Sequence, residues 1–230
     1  MRVLPFVLSF VCAVAMFVVI LISSVQWVAF SDVEYYQREF EKHNSYSFVD
    51  APKESVDKAA WLLVEYMLDE TDSLDMPAGE GYEGEYFTVR EKSHMVDVKE
   101  LVQGGIVIRR AAVAVFALCV AGLLILKSDF KTVCSAFAVV SGFIIAVSAF
   151  FAIAMVIDFN GLFILFHETF FNNDLWLLDP AESRLINMVP LEFFIDTVVN
   201  ILVRFETCVA AVLILSTAYL IIRLRKRLKG

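Results

Sequence analysis

The chain has 230 residues, of which 59 % are hydrophobic, and its formal net charge is −8 at pH 7. This apolar share exceeds that of ordinary soluble domains and, with a mean hydropathy of +0.71, indicates a membrane protein. Because phosphate binding requires clustered cations, the acidic balance disfavours a nucleic-acid partner.

Four apolar runs are long enough to cross a bilayer, which requires about 20 mostly apolar residues. They occupy residues 5–30, 106–126, 133–157 and 194–222. The first run is much longer than the apolar core of a signal peptide, about 7–15 residues, and it ends in Trp27 and Phe30, which suit a membrane interface. We therefore expect a retained helix rather than a cleaved signal.

Positive charge near the ends of the spans predicts the orientation, since short cytoplasmic loops are enriched in Lys and Arg. With four spans, the N-terminus with Arg2, the connection 127–131 and the basic tail after residue 222 lie on one side. We expect that side to be the cytoplasm. The predicted order is helix 1 (1–30), an extracellular cap (31–105), helices 2 and 3 (106–157), an outer interfacial segment that completes the site (158–193), and helix 4 with the tail (194–230).

The predicted cap is acidic, with 18 Asp and Glu against 7 Lys and Arg. Helical spacing of apolar residues predicts that the first helix continues to about residue 44 and that a second helix covers 54–70. The sequence therefore predicts an all-α integral membrane protein, a four-transmembrane-helix bundle with a mainly helical extracellular cap. All four cysteines lie in predicted spans, so neither a disulfide framework nor a cysteine metal site is expected.

Between the cap helices and the second span, residues 75–86 are glycine-rich and predict a flexible lid or linker. Thr88 and Glu91 match a capping box, in which each side chain binds the other residue's backbone N–H. They predict the start of a further helix, which we expect to end at Gly104 before the second span begins.

The outer segment opens with FNGLFILFHETFF, residues 159–171, which is too short for a span and predicts an interfacial or re-entrant helix. On this helix His167 shares a face with Asn160, beside a row of phenylalanine rings. Asp179 and Pro180 then predict the N-cap and first turn of a short helix over about 180–188.

His94 and His167 are the strongest candidates for chemistry, because one comes from each outward-facing segment and both lie near ends of predicted spans. Two converging imidazoles suit acid–base catalysis. The alternative for each is an interfacial histidine bonded only to backbone. The third histidine, His43, lies in a charged helix and is expected to be a solvated surface residue.

Other chemistries lack their usual patterns. The sequence contains no GxSxG nucleophile elbow, no HExxH motif and no cofactor fingerprint. A zinc site built from His94, His167 and a carboxylate lacks metal-ligand spacing. We therefore expect neither a metal nor a cofactor.

A polar stripe interrupts the fourth predicted span, where Asp196, Asn200 and Arg204 recur every four residues. Charges in a span tend to face the bundle interior, so an internal Asp196–Arg204 contact that fixes helix packing is favoured. The alternative is an ion or proton path, in which case the protein is non-enzymatic, a transporter subunit or lipid-binding module.

Three segments resemble the bacterial lipoprotein intramolecular transacylase family: REKSHMVDVKEL (90–101), FNGLFILFHETFFNNDLWLLDP (159–180) and LINMVPLEFF (185–194). This family consists of small membrane proteins with four spans and an outer cap, and the resemblance assigns its two catalytic histidines to His94 and His167. It implies a protein of the bacterial cell membrane. The implied substrate is a diacylglyceryl-modified lipoprotein, whose sn-2 acyl chain moves to the α-amine of its own N-terminal cysteine and leaves a lyso-form lipoprotein.

The residues present suit this reaction. The amine must lose a proton and the departing glyceryl alkoxide must gain one, so we predict His167 as base and His94 as acid. The substrate brings its own nucleophile, and the expected partners are lipoproteins and membrane lipid. The predicted orienting or oxyanion residues are Asp97, Glu168, Asn160, Arg90, Asn172 and Asn173. The predicted pocket wall consists of Phe163, Phe166, Phe170, Phe171 and Trp176.

Overall fold

The computed structural model describes residues 3–229, and Arg2, one of the charges that predict the orientation, lies outside them. Seven α-helices lie within the described residues: α1 (Val3–Phe30), α2 (Val33–Lys42), α3 (Lys53–Met67), α4 (Val89–Ile125), α5 (Phe130–Phe170), α6 (Arg184–Met188) and α7 (Leu191–Lys229). A 3₁₀ turn covers Ser45–Ser47. Four helices, α1, α4, α5 and α7, are long and apolar enough to cross a membrane, which confirms the all-α, four-span prediction.

Three of the four long helices exceed the thickness of a bilayer. They have 37, 41 and 39 residues, which at 1.5 Å per residue correspond to about 55–62 Å, against about 40–45 Å for a bilayer with its headgroups. Each therefore includes a segment beyond its apolar run. In α4 this segment precedes residue 106, and in α5 it follows residue 157.

The chain divides into two compact units. Unit 1 comprises the described parts of Met1–Val25, Val107–Ile157 and Ile201–Gly230, and unit 2 comprises Gln26–Ile106 and Asp158–Asn200. In unit 1, a buried cluster joins α1, α5 and α7 through Ala13, Phe17, Val140, Phe205 and Val209. Elsewhere α4, α5 and α7 expose large apolar side chains such as Leu118, Phe150 and Val203, as expected for contact with lipid.

In unit 2 the first helix does not continue to residue 44, as the sequence analysis expected. It ends at Phe30, and α2 starts separately because the Asp32 carboxylate accepts the backbone N–H of Glu34 at 2.9 Å while Asp32 itself is extended. Helix α3 matches the predicted 54–70 within a few residues. Its predicted apolar stripe is buried at Val56, Ala59, Ala60 and Leu63.

The glycine-rich segment 75–86 forms a bridged loop rather than an open linker. Pro77 and Glu85 pair as an isolated antiparallel bridge, and the Tyr86 N–H donates to the Met76 carbonyl at 2.8 Å. Gly79 has φ +123°, and a Cβ there would lie 2.5 Å from Ser55 Oγ. The loop therefore requires glycine where it contacts the start of α3.

Helix α4 begins at the predicted capping box. The Thr88 N–H donates to Glu91 Oε2 at 2.6 Å, and the Glu91 N–H donates to Thr88 Oγ1 at 3.2 Å. The predicted end at Gly104 is wrong, because α4 runs unbroken to Ile125. A glycine inside a helix costs only about 1 kcal/mol, and breaking a helix next to a membrane leaves backbone groups unsatisfied.

The segment after the third span is a distinct helical piece, as predicted for 159–171. Within α5, Asp158 is non-helical (φ −156°, ψ 83°), and its Oδ1 accepts the Gly161 N–H at 2.8 Å. This side chain caps the new segment. A Cβ at position 161 would lie 2.3 Å from Asp158 Oδ2, so the cap depends on glycine there.

The predicted helix start at Asp179 is wrong. Asp179 Oδ1 accepts the Ala181 N–H at 2.9 Å, which closes a local turn and does not start a helix. The helix that follows, α6, is shorter than predicted and is capped by Ser183, whose Oγ accepts the Ile186 N–H at 3.2 Å.

Candidate active site

The structure brings the two predicted catalytic histidines together within unit 2. The ring centroids of His94 and His167 are 6.0 Å apart and their planes are tilted by 35°. Both residues are buried, at 7 % exposure each. One substrate group can therefore contact both rings at once, which is the geometry that shared proton transfer requires.

Local structure explains why the rings meet. The capping box starts α4 about one turn before His94, which places this residue in the part of the helix that precedes the apolar span. The Asp158 cap starts the helical segment that carries His167 beyond the third span. Both histidines thus lie outside the predicted membrane-spanning runs.

A backbone contact orients His167. Its Nδ1 lies 2.7 Å from the carbonyl oxygen of Phe163, one turn earlier on the same helix. A carbonyl oxygen only accepts hydrogen bonds, so Nδ1 carries the proton and donates it. The neutral ring then leaves Nε2 with a free lone pair, the form that a general base requires.

His94 differs from His167 in its hydrogen bonding. Its Nδ1 is buried and has no hydrogen-bond partner among the described residues. Buried polar atoms are nearly always paired, so this ring nitrogen is available to a bound group.

Burial keeps both imidazoles neutral at pH 7. It lowers the pKa of His94 from 6.5 to about 4, with the nearby His167 acting in the same direction and Asp97 opposing it. Burial also lowers the pKa of His167, against the hydrogen bond to Phe163. Since each ring disfavours charge on the other, the pair is suited to carry one proton at a time.

Aromatic rings surround His167. Its ring centroid lies 4.3 Å from Phe163, 5.4 Å from Phe166, 5.5 Å from Phe171 and 4.8 Å from Trp176. Phe171 also contacts His94 edge-on at 5.4 Å. The fifth predicted wall residue, Phe170, packs on Phe166 at 4.9 Å and is exposed. Four of the five predicted wall residues thus contact His167 directly.

Three of the predicted orienting residues instead hold the loop after α5 against α4. Asn173 Nδ2 donates to Asp97 Oδ2 at 2.9 Å, and the Arg90 guanidinium donates to the Asp174 carbonyl. Trp176 Nε1 donates to the Asn173 carbonyl at 3.0 Å. These bonds fix Trp176 over the ring of His167.

The remaining orienting candidates, Glu168, Asn160 and Asn172, are exposed. Within residues 3–229, neither Glu168 nor Asn160 hydrogen-bonds His167. The contact that orients the ring comes from the Phe163 carbonyl, which sequence reasoning missed because any residue can supply it.

His43 is not a solvated surface residue, as the sequence analysis expected. Its Nε2 lies 2.6 Å from Asp196 Oδ2 and 3.3 Å from Glu39 Oε2. Lys42 Nζ lies 2.5 Å from the same Asp196 oxygen. The ligand atoms of Glu39, His43 and Asp196 are close enough to hold a metal ion, but the Lys42 ammonium already supplies a cation to this cluster.

These contacts also revise the prediction for the polar stripe on the fourth span. Asp196 bonds to α2 through Lys42 and His43, whereas the Asp196–Arg204 contact stays a prediction. Nearby, the Tyr36 ring stacks on Phe193 at 5.6 Å, and the Tyr35 hydroxyl lies 2.9 Å from Thr197 Oγ1. Asp196 thus belongs to the packing of α2 on the start of α7.

Comparisons with known proteins agree with this geometry. A family model described as lipoprotein intramolecular transacylase Lit matches residues 10–194. The structure of the membrane integral lipoprotein intramolecular transacylase Lit from Bacillus cereus is similar, with a TM-score of 0.73 and 20 % identity over 100 % of both chains. No curated protein sequence matches the chain.

Two further structures of the Bacillus cereus protein, each with one histidine substituted, are also similar. The alanine variant has a TM-score of 0.73 and 21 % identity, covering 97 % of this chain and 96 % of that one. The arginine variant has a TM-score of 0.72 and 21 % identity, covering 99 % and 95 %. At this level of identity the likeness establishes the shared fold.

Proposed function

The chain belongs to the lipoprotein intramolecular transacylase family and is an acyltransferase, and on this premise we propose that it acts through a two-histidine proton relay. The proposed reaction moves the sn-2 acyl chain of a diacylglyceryl-modified lipoprotein to the α-amine of the same molecule's N-terminal cysteine. The observation that carries the proposal is the pair of buried imidazoles with centroids 6.0 Å apart.

In the first step His167 Nε2 accepts a proton from the substrate amine. Free α-amines have a pKa of about 7.7–8.0, so a large part of the substrate needs this deprotonation near neutral pH. The neutral tautomer of His167, held by the Phe163 carbonyl, supports this role. The amine nitrogen then attacks the carbonyl carbon of the sn-2 ester.

In the second step the bond between the ester carbonyl carbon and the glyceryl oxygen breaks. A new bond joins the carbonyl carbon to nitrogen, and the proton taken from the amine ends on the glyceryl oxygen. Because both rings are neutral before the reaction, His94 first receives the proton that His167 took from the amine and only then donates one to this oxygen. The unpaired Nδ1 of His94 is the ring atom available to the oxygen, which supports His94 as the acid. The relay consumes no water and needs no nucleophile from the enzyme.

The rest of the pocket orients the substrate's amine and ester and keeps water away from them. Holding amine and ester of one flexible substrate in attack geometry supplies on the order of 7–11 kcal/mol of the barrier. The rings of Phe163, Phe166, Phe171 and Trp176 exclude water that would hydrolyse the ester. Asn172, which is exposed and follows Phe171 in the chain, is the residue we assign to the oxyanion, because Arg90 already donates to the Asp174 carbonyl and Asn173 to Asp97.

The test replaces each histidine by alanine. His94→Ala and His167→Ala are each expected to reduce formation of lyso-form lipoprotein by at least about 100-fold, as loss of a positioned acid or base does. Mass spectrometry of the lipoprotein's N-terminal peptide measures the product. His43→Ala serves as the control, since His43 lies in the Asp196 cluster, and is expected to keep activity. Wild-type product levels in either variant at the proposed site would overturn the relay.

We further propose that both termini face the cytoplasm and that 31–105 and 158–193 face outward. The basic tail and the 18 acids against 7 bases in 31–105 support this orientation. An introduced cysteine at the exposed position Glu83 is expected to react with a membrane-impermeant maleimide in intact cells. Labelling that occurs only after permeabilisation would contradict this orientation and place residue 83 on the cytoplasmic side.

A further inference from the structure

Glu91 is a fully buried carboxylate that takes no part in the relay described above. It lies on α4 about one turn before His94 and has 0 % exposure. Its Oε2 accepts the Thr88 N–H at 2.6 Å, while Oε1 accepts the Ser183 Oγ–H at 2.6 Å and the Leu185 N–H at 2.7 Å. A carboxylate only accepts hydrogen bonds, and here both oxygens are engaged.

Two of these bonds exceed what a helix cap requires. A capping box is complete with the reciprocal bonds between Thr88 and Glu91. The bonds from Ser183 and Leu185 instead join α4 to chain that lies 92 and 94 residues later. Burying a carboxylate is unfavourable unless it is well paired, so its place here indicates that this attachment matters.

The attached chain carries part of the candidate active site. Residues 171–183 form the loop that follows α5, and the ring of Trp176 in this loop lies 4.8 Å from the His167 ring, tilted by 30°. Near its start the loop is held by Asp97 through Asn173, and at its end by Glu91 through Ser183. His94 lies between these two attachment points on α4.

We propose that Glu91 is a positioning residue of the transacylation reaction. By holding the end of the loop on the first turn of α4, it fixes the position of Trp176 and His167 relative to His94. This inference rests on the proposed function. In addition to its role in the capping box that starts α4, Glu91 is assigned an effect on the rate of the chemical step.

The test compares Glu91→Gln with a matched control on the same helix, Glu100→Gln, whose side chain is exposed. The glutamine side chain keeps one acceptor oxygen and replaces the other by an NH₂ group. This group is itself a donor and cannot accept the hydrogen bonds that Glu91 now accepts. Because a displacement of about 1 Å reduces rates by about 100-fold, kcat with a diacylglyceryl lipopeptide is expected to fall by about 10- to 100-fold. KM is expected to stay within about twofold of wild type, and Glu100→Gln to match wild type in both constants.

A second variant tests whether the effect passes through the loop. Ser183→Ala removes one of the three donors and is expected to lower kcat a few-fold at unchanged KM. In the double variant the loss of kcat is expected to equal that of Glu91→Gln alone, because the effects of two substitutions in one contact are not additive. Independent, multiplicative losses would contradict a shared role.

The outcomes separate this inference from the proposed function. Suppose that the wild-type protein transfers the acyl chain, and that Glu91→Gln has the wild-type kcat and unfolds at the wild-type temperature. This result would overturn the positioning role alone. If Glu91→Gln fails to accumulate, an unchanged kcat in Ser183→Ala would overturn it instead. Absence of acyl transfer by the wild-type protein would overturn both proposals.

Discussion

At the level of single residues, one hydrogen bond determines which nitrogen of His167 can act as a base. Because Nδ1 donates to the Phe163 carbonyl at 2.7 Å, the lone pair lies on Nε2. On His94, by contrast, Nδ1 lacks a partner among the described residues. Two identical side chains therefore differ in their hydrogen bonding, and this difference supports the proposed assignment of base and acid.

Burial of His94 predicts a pH dependence of stability. Its pKa in the folded protein is about 4 instead of 6.5, so the unfolded chain binds more protons between these two pH values. The free energy of unfolding is therefore expected to fall by about 3 kcal/mol from this residue as pH drops through that window. Thermal unfolding of His94→Gln in detergent is expected to show a shallower dependence. A slope equal to that of wild type would contradict the buried neutral imidazole.

The contact of the Trp176 ring with His167 predicts a change in product when Trp176 is replaced. Trp176→Ala opens the wall to water, so hydrolysis of the ester is expected to rise at least about threefold relative to transfer. Mass spectrometry separates the two products, because hydrolysis removes one acyl chain while transfer conserves the total mass. Trp176→Phe keeps a ring over His167 at the cost of the bond to the Asn173 carbonyl and serves as control. Equal ratios of hydrolysis to transfer in the alanine and phenylalanine variants would show that the ring at position 176 does not keep water out.

At the level of elements, the first turns of α4 organise unit 2. Arg90, Glu91 and Asp97 each bind the chain that follows α5, and His94 lies among them. The helix continues without a break into its apolar run, so the same element carries a catalytic candidate and a predicted span.

Two glycines are expected to respond in opposite ways to alanine. Gly104 is helical with nothing within 4 Å of an added Cβ, so Gly104→Ala is expected to stabilise the protein by about 0.5–1 kcal/mol. Gly79 has φ +123° and an added Cβ would lie 2.5 Å from Ser55 Oγ, so Gly79→Ala is expected to destabilise by more than about 1 kcal/mol. Thermal unfolding measures both. A stabilised Gly79→Ala variant would show that the 75–86 loop does not pack on α3 as described.

Local patterns were readable from the sequence, whereas contacts between distant segments were not. The spans, the Thr88–Glu91 capping box and the separate helix after residue 158 follow from composition and spacing. The pairing of His43 with Asp196 joins residues 153 positions apart, and no local signal indicates it. An aspartate such as Asp179 can either cap a helix or close a local turn. Here it closes a turn, and Ser183 caps the helix that follows.

At the level of the whole molecule, the family match over residues 10–194 includes both histidines and the chain between them. Unit 1 supplies an apolar bundle, and unit 2 holds the buried imidazole pair with its aromatic wall. Within the proposed mechanism the substrate brings both the acyl group and the amine. In this mechanism the protein supplies a base, an acid and an enclosure that excludes water, and the acyl chain is proposed never to leave its own lipoprotein.

A crossover experiment tests this claim most directly. Two lipopeptides of different sequence are mixed with the protein, and only one carries an isotopically heavy sn-2 acyl chain. We expect mass spectrometry to find the heavy chain solely on the amine of the peptide that brought it. Heavy acyl chain on the amine of the other peptide would mean that the chain is released or carried by the enzyme, and would contradict the account.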